Sequence, residues 1–346
     1  MILSLLLLLG GPLQHSGWPL ETPLDRLLIV SVDGLRSDAL VSGGPAALPA
    51  LHRLLSGTST LNARTDPDIT VTLPNHVGML TGQFLSGADG HRWSENIDPP
   101  PGKTLEQQAG RYLPGIFDVA HDHGLRTALF AGKSKFSLFD LSWDQAHGRP
   151  DRTGADHGRD KLDEYRFDED PGRLTASARL ALQAADRTLV FLHYPMPDLA
   201  GHSSGWDLSP DSPYMKAVAQ VDAELEVLMA AIQAWTEDGQ RIGVILTADH
   251  GGGSPLHGHS RGTGLWVNYI IPFLVWSPWL EGGQDLYAAF PQRWTDPSIR
   301  QPGIRGPQPV RNLDAAGIAL ELLGLPSLIP AAAEALVPKK SPSVAD

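Results

Sequence analysis

The run RLLIVSVDG, residues 26–34, is apolar almost throughout and stops at an Asp-Gly turn. A strand that is apolar on both faces must be covered on both, the pattern of a central strand in a parallel sheet. Four further runs share that character: LRTALFAG (125–132), RTLVFLHY (187–194), RIGVILTAD (241–249) and YIIPFLVWS (269–277). Helical patterns lie between them at 45–57, 115–124, 173–186 and 214–235. In the last, Val218, Val221, Leu225, Leu228 and Met229 recur at helical spacing and form one apolar face. Strands alternating with helices predict an α/β fold with a mostly parallel sheet and helices on both faces. RNLDAAGIALELLGLP (311–326) predicts a closing helix.

The boundaries follow from composition. Residues 21–330 read as one domain, with a polar, Asp-rich stretch at 140–172 expected to form a cap-like excursion. Residues 331–346 read as a flexible tail. Ile2–Leu9 is an apolar run too short to span a bilayer. It suits the core of a secretory signal, so residues 1–20 are expected to be a signal peptide or a disordered N-terminus. An exported location, periplasmic or extracellular, follows as an expectation.

Charge and cysteine content exclude several classes. A net charge of −12 leaves no basic footprint for nucleic acid. With no cysteine, disulfides, thiolate metal sites and cysteine catalysis are all excluded. Any metal must bind through His, Asp, Glu or hydroxyl groups.

In parallel α/β sheets, polar residues at the carboxyl ends of strands mark the site. Here those ends carry Asp33, then Asp198 and His202, then Asp249 and His250, with His257 and His259 in the following Gly-rich loop. Singly, each has a plain explanation as a turn cap or a solvated loop residue. Jointly, three carboxylates and up to four imidazoles arriving from separate strand ends suit divalent cations. Without thiolates, zinc leads, with manganese or iron as alternatives.

DITVTLPNHVGMLTG (68–82) begins like a strand and ends in a turn into a helix. Pro74 suits a first helical turn, which puts Thr72 near the N-terminus, where free N–H groups and the dipole favour an anion. Two readings stand: an N-terminal cap, or a nucleophile. Asn75 and His76 are expected to support the helix turn rather than bind metal.

The motifs SVDGLRSDAL, TVTLPNHVGMLTG, PDLAGHSSG, TADHGGG, GHSRGTGLWVNYIIPFLVW and the closing helix together carry a family resemblance. The chain resembles the alkaline phosphatase superfamily, and within it the type I phosphodiesterase/nucleotide pyrophosphatase branch, over roughly residues 25–326. The resemblance implies an alkaline-phosphatase-like three-layer sandwich and two divalent ions, zinc foremost. Asp33, Thr72, Asp249 and His250 would hold one ion. Asp198, His202 and His259 would hold the other, with His257 the alternative loop ligand. Thr72 would attack phosphorus and become phosphorylated, with Thr70 the next candidate. Asn96, in GHRWSEN, would donate to a phosphoryl oxygen, although Arg92 stands where the branch carries Gly.

The expected activity is hydrolysis of a small phosphate ester, with a diester preferred. A monoesterase is the first alternative, because Lys133 and Lys135 in FAGKSKFSLF (130–139) could contact a dianionic substrate. A sulfatase would need a Cys or Ser in C/S-x-P-x-R, and no such motif is present. A cofactor-independent phosphoglycerate mutase would need a Ser nucleophile and an inserted domain. A non-catalytic, metal-binding exported protein would not need the Thr72 hydroxyl. Trp93, Phe136, Phe139 and Trp206 could stack an aryl group or pack against the sheet.

Overall fold

The computed structural model of the chain describes residues 18, 20–253, 258–259 and 266–328. The expected signal segment, apart from Trp18 and Leu20, the tail and His257 therefore lie outside the described residues. The elements follow as β1 (Arg26–Val32), α1 (Ser37–Ala47), α2 (Pro49–Leu55), β2 (Thr58–Arg64), α3 (Thr72–Thr81), α4 (Leu105–Ala109), α5 (Ile116–Asp122) and β3 (Arg126–Ala131). Then come α6 (Ser137–Ser142), β4 (Glu164–Phe167), α7 (Pro171–Ala184), β5 (Thr188–Tyr194), α8 (Met196–Ser204), α9 (Pro213–Glu237) and β6 (Ile242–Thr247). β7 (Ile270–Trp276), β8 (Gln284–Asp285), α10 (Leu286–Ala289) and α11 (Asp314–Leu322) complete the chain.

The strands form one eight-stranded sheet in the order β4-β3-β5-β1-β6-β7-β2-β8. The pairs around β1, β3 and β5 are parallel, and β7 runs antiparallel to both β6 and β2. Helices α1, α2, α7, α8 and α9 pack on one another as one layer, and α3, α5 and α11 as a second. This is the alkaline-phosphatase-like α/β sandwich expected from the motifs.

Three strands, β2, β4 and the two-residue β8, had no counterpart in the apolar runs. β2 is TSTLNAR and β4 is EYRF, the latter inside the polar excursion, with Glu164 and Tyr165 partly buried and Arg166 and Phe167 exposed. An edge strand such as β4 has little to bury, so it carries no continuous apolar signal. Conversely, residues 68–71 are not a strand, and the chain reaches α3 through an irregular segment. Among the described residues no helix is long and apolar enough to cross a membrane.

Register explains where the site forms. Ser31 in β1 is level with His193 in β5 and Thr247 in β6. Asp33 and Asp249 each lie two residues beyond those partners, so both carboxylates emerge at the same sheet edge. The Asp33 N–H donates to the Tyr194 carbonyl, and the Asp198 N–H donates to the Asp33 carbonyl. Gly34 closes the turn at φ +69°, a left-handed conformation that glycine adopts without penalty.

Candidate metal centre

Two groups of donor atoms converge at that edge: Asp33, Asp249 and His250, and Asp198, His202 and His259. In the first, His250 Nε2 lies 3.5 Å from Asp33 Oδ1 and 3.2 Å from Asp249 Oδ2. In the second, Asp198 Oδ1 lies 3.3 Å from His202 Nε2 and 3.5 Å from His259 Nε2, with 3.0 Å between the two nitrogens. Ligands about 2.0–2.1 Å from a tetrahedral zinc ion lie about 3.3–3.4 Å from each other. Asp33 Oδ1, Asp198 Oδ1, Asp249 Oδ2 and His250 Nε2 are buried without hydrogen-bond partners among the described residues. Buried polar atoms ordinarily find partners, so four orphans at one place fit a pair of divalent cations.

The histidines are preset for this role. His250 Nδ1 donates to the Gly251 carbonyl at 2.7 Å, and His259 Nδ1 donates to the Thr70 carbonyl at 2.5 Å. A carbonyl only accepts, so in both rings Nε2 keeps its lone pair toward the site. Burial lowers the pKa of both, that of His250 to about 3, which keeps the rings neutral. The Thr70 hydroxyl donates to the His259 carbonyl at 2.5 Å, so it braces the loop.

Lys133 Nζ lies 2.7 Å from both Asp33 Oδ2 and Asp198 Oδ2 and 3.4 Å from Thr72 Oγ1. Burial opposes its charge, but Asp33 and Asp198 overcome that and hold its pKa above the ordinary lysine value. Burial alone would raise Asp33, yet Lys133 and the His193 hydrogen bond bring it well below the usual carboxylate range. Asp249 is pushed well above that range, first by burial and then by Asp33.

Thr72 is the first residue of α3. Val71, which has no capping side chain, occupies the N-cap position, so the capping alternative for Thr72 is set aside. Asn96 Oδ1 accepts from the Leu73 N–H at 2.9 Å and from Lys135 Nζ at 3.2 Å. With Oδ1 occupied by two donors, Nδ2 remains to donate elsewhere. Arg92 adopts φ +60°, so this segment keeps a glycine-like backbone without the glycine.

The profile of the type I phosphodiesterase / nucleotide pyrophosphatase family matches residues 27–260. The chain belongs to that family. Among curated relatives, GPI ethanolamine phosphate transferase 1 of Mus musculus is 24% identical over 334 residues, 91% of this chain and 33% of the relative. The chain thus spans about a third of that relative's length. The fold resembles murine ectonucleotide pyrophosphatase / phosphodiesterase 5, solved in an inactive form in complex with AMP. That match has TM-score 0.51 and 19% identity, covering 90% of this chain and 96% of the other. A protein of the alkaline phosphatase superfamily from Vibrio parahaemolyticus matches with TM-score 0.53 and 14% identity, covering 89% and 68%.

Within this phosphodiesterase-family fold, His193 and Asn312 are supporting residues that were not among the predicted ones, whereas His76 supports the helix turn as expected. His193, in the middle of the site edge, donates from Nε2 to Asp33 Oδ2 at 2.9 Å, while its Nδ1 faces the Gly132 N–H. A histidine near the end of the apolar run RTLVFLHY was the available signal. His76 Nδ1 donates to the Thr72 carbonyl, and its Nε2 accepts from the Ser31 hydroxyl, both at 2.8 Å. Asn312, just before α11, donates to Asn75 Oδ1 at 2.9 Å and to the Asp249 carbonyl at 3.1 Å. Trp93, Phe136, Phe139 and Trp206 are all buried and pack rather than line an open pocket. A third acidic group, His121, Asp122 and Asp151, holds the Lys161 ammonium at 2.7 Å from each carboxylate.

Proposed function

We propose that the protein is a two-metal phosphoric ester hydrolase that prefers diesters and works through a phospho-Thr72 intermediate. The observation that carries this reading is the Thr72 hydroxyl at the start of α3, 3.4 Å from an ammonium that touches one carboxylate of each donor group. Asp33, Thr72, Asp249 and His250 would hold one ion, and Asp198, His202 and His259 the other. Zinc suits these nitrogen and oxygen donors. When bound, such ions supply the positive charge that stabilises anionic oxygens in phosphoryl transfer.

The chain's own residues do the rest. Thr72 Oγ1 attacks phosphorus, forming a P–O bond as the bond to the leaving oxygen breaks, and its proton passes to solvent. Water then attacks phospho-Thr72, the P–Oγ1 bond breaks, and the hydroxyl is restored. Lys133, held protonated, and the positive N-terminal end of the α3 dipole both favour negative charge at Thr72. Asn96 Nδ2 is the donor available to an equatorial phosphoryl oxygen.

A second reading, hydrolysis of monoesters, is supported by Lys133 and Lys135, whose two positive charges suit a dianion. The apolar run Ile2–Leu9 supports an exported protein. Zinc-loaded protein should cleave an aryl phosphodiester faster than an aryl monoester, and the reverse ratio would favour the second reading. Adding an alcohol separates hydrolysis from transfer, the activity named for the mouse relative. Thr72→Ala should lose roughly 10³-fold or more in turnover while keeping its zinc content and melting temperature. Unimpaired turnover would place the nucleophile elsewhere.

A further inference from the structure

We infer that Trp206 is the positioning residue that steers His202 and sets the spacing of the half-site formed by Asp198, His202 and His259, an inference that rests on the two-metal reading above. The need for such a residue arises within the half-site. His250 and His259 are each oriented by an Nδ1–H bond to a carbonyl, whereas His202 makes no such bond among the described residues. His202 is also the most open of the three, with nearly half of its side chain exposed. A metal-binding imidazole normally depends on a second contact to fix its ring.

The contact present is an indole edge. Trp206 lies two residues beyond α8, is 6% exposed, and meets the His202 ring at 6.2 Å and 68°. The same indole meets His259 at 6.3 Å and 86° and Tyr214 at 5.3 Å. Three glycines from three segments make room for it. A Cβ on Gly34, Gly201 or Gly252 would lie 2.9, 2.5 or 2.3 Å from indole carbons. These segments are the turn after Asp33, the helix bearing Asp198 and His202, and the loop after Asp249. The Trp206 carbonyl is held by the Arg36 guanidinium at 3.2 Å, and the Tyr214 hydroxyl, which donates to the Gly34 carbonyl, accepts from the Arg36 N–H.

A flat, rigid ring fills this junction completely. Removing it opens a void into which the exposed His202, which has no Nδ1 bond of its own among the described residues, relaxes, widening the second donor group. The first group keeps its own carbonyl and His193 bonds, so the effect is selective.

The test is a zinc titration of metal-stripped protein by calorimetry, with bound zinc measured directly. Wild-type protein taking up two ions supports the underlying reading, and no uptake at all would sink that reading independently of Trp206. Trp206→Ala should weaken one of the two sites about 10- to 100-fold and leave the other unchanged. Trp206→Leu, which keeps apolar bulk but not the ring, should give the same selective loss, and Trp206→Phe should restore most of it. Combining Trp206→Ala with His202→Ala should weaken that site no further than His202→Ala alone. Trp294→Ala, a buried tryptophan packed on Phe290, serves as the control for general loosening. Two wild-type sites in Trp206→Ala and Trp206→Leu, or equal weakening of both sites as in the control, would overturn the inference.

Discussion

His91 shows how one buried side chain couples this fold to pH. It is fully buried, its Nδ1 accepts from the Trp93 N–H at 3.1 Å, and burial pushes its pKa down to about 3. The unfolded chain takes up a proton near pH 6.5, whereas the folded chain does so only near 3. Stability is therefore lost as pH falls through that window. Between pH 7.5 and 5 this one residue should remove about 2 kcal/mol. His91→Gln, which keeps an acceptor for Trp93, should flatten the fall in unfolding free energy over that range, measured by urea denaturation. An unchanged fall would refute the assignment. His76, lowered mainly by burial, acts in the same direction.

At the scale of an element, α3 depends on a clamp from outside its own hydrogen-bond ladder. Its N-cap residue Val71 has no capping side chain, the Leu73 N–H is taken by Asn96 Oδ1, and Asn75 fastens the segment that leads into the helix. Its Oδ1 accepts from the Asp66 N–H and from Asn312, and its Nδ2 donates to the Ile69 and Val71 carbonyls. This fastens the irregular segment 66–71 to the helix and ties both to the strand end at Asp249. Asn75→Ala would leave several buried groups unpaired, so a loss of about 3 kcal/mol in unfolding free energy is expected. A loss below about 0.5 kcal/mol would mean the clamp is dispensable. Gly82 ends the same helix at φ +67°, its N–H returning to the Gly78 carbonyl.

For the molecule as a whole, charge and metal are linked. A chain of net charge −12 gathers Asp33, Asp198 and Asp249 at one buried edge, offset within the protein by Lys133. Cations that bind the folded chain alone should stabilise it, by about 2.7 kcal/mol for one site at one hundred times its dissociation constant. A chelator should lower the melting temperature and added zinc should restore it, read by calorimetry. Insensitivity to both would mean that the donor groups bind no ion.

The strand ends Asp33, Asp198 and Asp249 were legible because a parallel strand buried on both faces must be apolar and then stop at a polar turn. RLLIVSVDG carries that signal in nine residues, and the family motifs add Thr72 and the histidines. β4 was not legible, since its polar residues reflect an edge position, and β2 was not, since its buried Thr58, Ser59, Thr60 and Arg64 are polar residues that carry no apolar pattern. Sequence by itself determined the parallel α/β core and the order in which the candidate donor residues arrive. Only the tertiary structure decided that His193 buttresses Asp33, that Lys133 reaches both halves of the site, and that Trp206 lies beneath His202. Those contacts join residues far apart in the chain, and distance in space is set by strand register and helix packing, which no local pattern encodes.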